Sequence, residues 1–284
     1  MNPSLWIVTA LRAEARPLIR AFGLRSGRSA PFGCHAWDDL GLVVSGVGRV
    51  AAAAAVGFIA GRRSADGAAT ARDEAVSPVA FLNVGIAGHR DLKPGAVVLA
   101  ERIRRIESGE SYYPVRLFDS ACRTGTVVTV DRPETGYGTD ALYDMEACGL
   151  AAAAQRFTTW ELIHSLKVIS DGPRHPVDRL DRQAIEALIT GAVDDVRETV
   201  AGLRSVLATL PPGDETGLLD EALDRWRFST SERRQLGKLL SRYRARGAPP
   251  PNFVEDADLL CCTSASELLA ALTERIDTLP VSLF

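Results

Sequence analysis

The chain has 284 residues, 46% of them hydrophobic and 24% charged, with a formal net charge of −3. That length can bury a sizeable core and predicts one large domain, or one domain with an appendage. The near-neutral balance excludes any global demand for nucleic acid, a membrane surface or an acidic partner.

Charge is nevertheless uneven. Residues 225–246 hold seven arginines and Lys238 against Glu232 alone, a local net of +7 that leaves −10 on the remainder. The cysteines (Cys34, Cys122, Cys148, Cys261, Cys262) lack paired spacing and the histidines are scattered, so neither a disulfide framework nor a metal site is suggested. A reducing cytoplasm fits this usage best. The apolar run at 5–11 has no basic leader and no small-residue cleavage site, and no stretch reaches the roughly 18 apolar residues of a spanning helix, so no export or membrane signal is visible.

In chain order, apolar β-favouring runs at 5–9, 40–45, 79–84, 96–100, 126–130 and 162–170 predict strands. Helical stretches at 13–22, 50–59 and 146–157 lie between several of them, which predicts an α/β architecture whose helices cover a largely buried sheet. Two strands run into glycine-rich turns, Ser45-Gly46-Val47-Gly48 and Asn83-Val84-Gly85-Ile86-Ala87-Gly88, where backbone amides can approach a ligand or another chain closely. Apolar residues at helical spacing from Ile185 to Leu207 predict one long amphipathic helix within 177–210, stopped by Pro211-Pro212-Gly213. A second helical block is expected over 215–246, then a stiff connector at Pro249-Pro250-Pro251. Ser264-Ala265-Ser266-Glu267 has capping-box spacing ahead of a final helix.

Candidate chemistry centres on Tyr143-Asp144-Met145-Glu146-Ala147 and Ile169-Ser170-Asp171. These place Glu146 and Asp171, 25 residues apart, at the ends of buried elements. An unpaired ionised carboxylate is strongly unfavourable in an apolar setting, so each needs a hydrogen-bond partner, and a polar ligand in a cleft could serve. The plainer readings are a helix start for Glu146, a strand-end turn for Asp171 and a solvated first-turn position for Glu14. Trp226, Phe228 and Tyr243 interleave with arginines, a pattern compatible with nucleic acid or an acidic partner; solvated arginines on a helical pair are the commoner outcome.

Four blocks in sequence, TALRAEA at 9–15, SGVGRVAAA at 45–53, NVGIAG at 83–88, and DMEA at 144–147 with ISD at 169–171, resemble the nucleoside phosphorylase superfamily. The likeness is closest to bacterial 5′-methylthioadenosine/S-adenosylhomocysteine nucleosidases and covers about residues 4–175. It implies a three-layer α/β/α fold with a central mixed sheet over residues 1–212, and a mostly helical extension over 213–284 packed on the core. It also implies a cytoplasmic homodimer that cleaves the N-glycosidic bond of an adenosine-like nucleoside with no cofactor or metal.

By the same resemblance, Asp171 is the acid that protonates or holds the departing base, and Glu14 orients or deprotonates the attacking water. Glu146 accepts hydrogen bonds from the ribose hydroxyls and Met145 packs on the ribose face. Ile86, Ala87, Gly88, Val128 and Thr129 would line the substrate. Phosphorolytic relatives often place an arginine where this chain has Asn83, which favours water over phosphate, although Arg49, His89 and Arg90 beside the glycine turns are candidate anion contacts.

Three departures bear on the substrate. Gly125 to Val130 lacks the Phe-Ile-type pair beneath adenine, Ile86 replaces a small hydroxyl residue, and Gly172-Pro173 follows Asp171. Val130-Asp131-Arg132 is also similar to the hopanoid-associated phosphorylases. The alternatives are thus a phosphorylase, including that type, or a catalytically weak nucleoside-binding protein whose extension engages a partner.

Overall fold

The computed structural model describes residues 3–27, 30–68, 78–210, 215–245 and 251–278. The chain divides into two compact units, one of residues 1–65 with 78–210 and one of 66–77 with 211–284. The expected breaks at Pro211-Pro212-Gly213 and Pro249-Pro250 lie outside the described residues.

From the N-terminus the chain runs β1 (Leu5–Thr9), α1 (Arg12–Ala21), β2 (Arg25–Ser26), β3 (Gly33–Trp37), β4 (Leu40–Val44) and α2 (Arg49–Ala68). It continues with β5 (Ala80–Gly88), β6 (Val97–Arg105), β7 (Ser111–Tyr112), β8 (Arg123–Thr129), β9 (Leu142–Asp144), α3 (Ala147–Ala154), β10 (Ile163–Asp171), α4 (Arg182–Gly191) and α5 (Val193–Thr209). All six predicted strands form. β5 and β6 outrun their apolar cores, because buried Asn83, Gly85 and Gly88 and the alternating pattern of β6 continue the pairing.

The sheet is mixed. β4, β1, β5 and β10 lie side by side and parallel, so their carboxyl ends share one rim. β5 also pairs with β9, β9 with β8, β8 with β6 and β6 with β10, so this half of the sheet closes on itself. In an open parallel sheet, ligand sites form beyond the carboxyl ends of the strands, where the chain turns into helices.

Strand alternation sends side chains to two opposite cores. Trp6, Val8, Phe81 and Ile163 join Ala52, Val56 and Ile59 of α2 and Leu150 of α3. Leu5, Ile7, Leu82 and Leu166 join Leu18 of α1, Ile189 of α4 and Val196, Val200 and Leu203 of α5. These are three layers, with helices on both faces of the sheet. Each fully buried aliphatic side chain contributes about 2 kcal/mol.

Two helix expectations are corrected. The long helix expected within 177–210 breaks at Ala192 into α4 and α5. Gly191 weakens the helix there, and Asp194 and Asp195 suit a fresh N-terminus, whose partial positive charge favours acids. The helix expected from 146 starts at Ala147 instead, because Asp144 rather than Glu146 caps it.

The second unit contains α6 (Glu215–Arg225), α7 (Thr230–Ala245), α8 (Ala257–Leu260) and α9 (Ala265–Thr278). Its own core joins Trp226, Leu236, Leu240, Tyr243, Phe253, Leu268, Leu272 and Ile276. Ser264 caps α9 by accepting from the amide of Glu267, and the Glu267 carboxylate reaches back to the amide of Thr263. Trp226 and Tyr243 are only 4% and 3% exposed, and the Trp226 indole donates to the Cys262 carbonyl at 2.7 Å. Of the aromatics that interleave with arginine in the sequence, Trp226 and Tyr243 are therefore core residues, and Phe228 packs partly buried against the same core.

Candidate active site

Glu14 stands in the first turn of α1, just beyond the end of β1. Its Oε2 accepts the amides of Ala10 and Leu11 at 2.9 and 2.8 Å, and its Oε1 accepts the amide of Ile86 at 3.0 Å. The carboxylate thus ties the start of α1 to β5. It reaches there only because Gly85 has no side chain, since a Cβ would lie 2.9 Å from Oε1 and 3.6 Å from Lys167 Nζ. Each carboxylate oxygen offers two lone pairs, so Oε1 keeps one acceptor position. Burial pushes the Glu14 carboxyl above its ordinary range, against the pull of the Ile86 and Leu11 amides, Lys167 and the Ala10 amide.

Lys167 sits in the middle of β10, fully buried, with Nζ 2.7 Å from Asp144 Oδ2. Burial works against its charge, but Asp144, Glu146 and Glu14 outweigh burial and hold its pKa above the ordinary lysine value. A single ammonium faces three carboxyl groups.

Asp144, at the end of β9, is the hub of the next turn. Its Oδ2 accepts the amides of Glu146 and Ala147, and its Oδ1 accepts the Thr129 hydroxyl at 2.6 Å. Because Asp144 serves as the cap, the Glu146 side chain is released from that duty and points across to the glycine turn after β4. There its Oε1 accepts the amide of Gly48 at 2.8 Å, while Oε2 takes no hydrogen bond among the described residues. Gly46 and Gly48 adopt φ of +88° and +101°, a conformation open to glycine, which turns the Gly48 amide towards Glu146. Gly149 lets α3 pack against the first residue of α2, because a Cβ there would lie 2.0 Å from the Arg49 carbonyl oxygen. Burial raises the Glu146 pKa to about 7; Lys167 opposes the rise, Asp144 adds to it, the Gly48 amide opposes it, and Glu14 adds to it.

Asp171 closes β10, four residues beyond Lys167, past a bulge that pairs it with Gly88. Its Oδ2 accepts the hydroxyl of Tyr137 and its Oδ1 that of Ser170, both at 2.5 Å. Gly88 is again a required gap, since a Cβ there would meet Asp171 Oδ2 at 2.5 Å and the Tyr137 ring at 2.7 Å. Val128 packs with Val130, Tyr137, Ala141 and Tyr143 in a small cluster of its own, with Met145 against it. A cavity of about 520 Å³ abuts Ser170, walled also by Arg174, His175, Leu180 and Leu188.

The predicted residues therefore fall into two groups. Glu14 and Glu146 meet around Lys167, whereas Asp171 adjoins Gly88, Tyr137 and the cluster of Val128 and Met145. Ile86 contributes its amide to Glu14, and Ala87 lies in the core under α2 and α3. The Thr129 hydroxyl is spent inside the protein, donating to Asp144 and accepting the Cys148 amide at 3.0 Å.

The three candidate anion contacts each hold a carboxylate of the same chain. Arg49 pairs with Asp131 at 2.7 Å, Arg90 with Asp91 at 2.7 Å, and His89 Nε2 lies 3.2 Å from Asp140. His89 Nδ1 accepts the amides of Asp91 and Leu92, so the neutral ring carries its proton on Nε2. Asn83 bridges the Val8 carbonyl and the Ser165 hydroxyl and is structural. Lys167 and Tyr137 received no role from the sequence. A lysine inside a strand with no other charged residue before its last position was the available signal, because lysine is almost never fully buried without a partner.

The parallel rim, the closed half-sheet and the carboxylates at the strand ends define a chain of the nucleoside phosphorylase-like fold. No protein-family model and no curated protein matches the chain. Among solved structures, it is similar to the 5′-methylthioadenosine nucleosidase of Arabidopsis thaliana, with a TM-score of 0.56 and 17% identity over 71% of this chain and 96% of that one. It is also similar to the 5′-methylthioadenosine/S-adenosylhomocysteine nucleosidase of Colwellia psychrerythraea 34H, solved in complex with adenine, at 0.52 and 20% over 75% of this chain and 97% of that one. The futalosine hydrolase of Helicobacter pylori gives 0.54 and 16%, covering 71% and 98%. At these identities the likeness is one of fold.

Proposed function

We propose that the first unit hydrolyses the N-glycosidic bond of an adenosine-like nucleoside. The observation that carries this reading is the pair of acids, Glu14 and Glu146, drawn together by one buried lysine at the carboxyl rim of a nucleosidase-like sheet. Cleaving a ribosyl C–N bond builds positive charge on the sugar and negative charge on the base. Glu146, with Oε2 available, accepts the ribose hydroxyls and feeds electron density to the sugar. Glu14 holds the attacking water at the remaining lone pair of Oε1 and takes its proton. Asp171 meets the departing base, and Met145, packed against the cluster of Val128 and Tyr137, meets the ribose face.

Lys167 is a positioning residue that pairs with Asp144 and keeps the acids aimed inward. Removing it would leave buried carboxylates unpaired, at a cost of about 3–5 kcal/mol. Water is favoured over phosphate, because Arg49, His89 and Arg90 are each matched to an aspartate and Asn83 brings no charge.

Binding without turnover is the second reading. It is supported by the three amides already held by Glu14 and the two hydroxyls already held by Asp171. One experiment separates the readings: adenosine, 5′-methylthioadenosine and S-adenosylhomocysteine are incubated with and without phosphate, and free base is measured. Base released in water alone, and abolished by Asp171→Asn, supports hydrolysis. Release only with phosphate supports phosphorolysis, and binding with no release supports the sensor.

The active form is proposed to be a cytoplasmic homodimer, in keeping with five free cysteines. Val47 and Val50, 53% and 75% exposed, flank Arg49, and the charge of Glu107 beside exposed Ile106 acts on the same arginine. Light scattering should give twice the chain mass of 30.5 kDa, and Val50→Arg should shift it to one. The second unit is proposed as an addition to the catalytic core.

A further inference from the structure

The segment 131–141, between β8 and β9, reaches the proposed site at three points. Asp131 holds Arg49, with Oδ1 2.7 Å from Nε and Oδ2 3.2 Å from Nη2. Asp140 lies 3.2 Å from His89 Nε2. Between them, Tyr137 donates to Asp171 Oδ2. Every one of these contacts falls on a residue that the sequence had already pointed to.

Tyr137 is the centre of the arrangement. Its ring lies over Gly88, whose missing side chain makes room for it, and it meets Tyr143 edge to face at 6.0 Å. It packs with Val128, Val130, Ala141 and Met145 in a cluster separate from both main cores. Its backbone adopts φ +46°, in the left-handed region that a bulky residue enters only when its surroundings hold it there. The contacts of the side chain, not the preference of the backbone, keep Tyr137 in place.

A seat with apolar walls (Val128, Val130, Tyr143, Met145), a glycine floor and one carboxylate oxygen suits a flat heterocycle that donates a ring N–H. Tyr137 imitates that ligand, with a flat ring in the slot and a hydroxyl proton on Asp171 Oδ2. We infer that residues 131–141 form a displaceable lid and that Tyr137 is its stopper, so that a nucleobase enters by expelling this side chain. The inference rests on the proposed function, because it takes Asp171 as the partner of the base. It adds a consequence for affinity: the free energy needed to expel Tyr137 is subtracted from that of binding.

Adenine is the probe. Its affinity is measured by calorimetry for the wild type, Tyr137→Phe and Tyr137→Ala, and amide hydrogen exchange is followed over 131–141 with and without adenine. Tyr137→Phe retains the ring and so controls for loss of folding in Tyr137→Ala. The lid predicts binding several-fold tighter in Tyr137→Phe and at least about tenfold tighter in Tyr137→Ala, with exchange over 131–141 faster when adenine is bound to the wild type. Binding to Tyr137→Ala alone supports it equally. If adenine binds the wild type and both variants bind it no better, or exchange over 131–141 slows on binding, Tyr137 is a wall of the site and the lid is wrong while the proposed function stands. If adenine binds none of the three folded proteins, the assignment of Asp171 to a base falls and the lid falls with it.

Discussion

Glu146 is a carboxyl group whose environment sets its own working range. Burial lifts its pKa to about 7 from an ordinary 4.5, although Lys167 and the Gly48 amide pull the other way. Between those values the folded protein keeps a proton that the unfolded chain has released. The stabilising contribution is complete below about 4.5 and is lost as pH rises through about 7, a swing on the order of 3 kcal/mol. Urea melts of the wild type should therefore show stability falling between pH 5 and 8, and Glu146→Gln should flatten that fall. The ribose-accepting role needs the ionised form, so kcat/KM should climb with pH and level off above about 7. A profile that is flat from pH 5.5 to 8 would remove Glu146 from the reaction.

At the scale of elements, glycine decides which segments can meet. Gly149 allows the start of α3 to touch the first residue of α2, and that contact brings Glu146 to the Gly48 amide. Gly149→Ala would drive a methyl group into the Arg49 carbonyl, so α3 must move away. The expected result is a loss of roughly 1–3 kcal/mol in stability and a larger drop in turnover, because Glu146 moves with the helix. An unchanged melting temperature with full activity would contradict this account. The break at Ala192 follows the same logic of local chemistry. Gly191 and the acids at 194 and 195 were visible in the sequence, yet the unbroken apolar spacing on both sides concealed the join.

For the whole molecule, the two units have separate apolar cores, one pair on either face of the sheet and another among α6 to α9. Cooperative unfolding of a single domain requires calorimetric and van't Hoff enthalpies to agree. Here the calorimetric enthalpy should exceed the van't Hoff value, with the helical unit melting as its own transition. A single transition with equal enthalpies would mean that the cores are energetically one. In the helical unit, Trp226 and Tyr243 are buried in the core, so their rings are not open to stack on bases.

The order of β1, β4, β5, β6, β8 and β10 and of the helices between them was legible in the residues, because apolar periodicity records which faces are buried and that record is local; β2, β3, β7 and β9, which lack an apolar run of their own, were not. Also legible were Glu146 and Asp171, acids at the ends of apolar runs where burial demands a partner, whereas Glu14 was marked only by the resemblance of its block. Which partners they found was not legible. Lys167 meets Asp144 across two strands distant in the chain, Gly85 and Gly88 act through the atoms they lack, and Tyr137 reaches Asp171 from a loop with no periodicity at all. Pairings of that kind are set by strand register and by how closely backbones approach, and those quantities exist only once the sheet has closed.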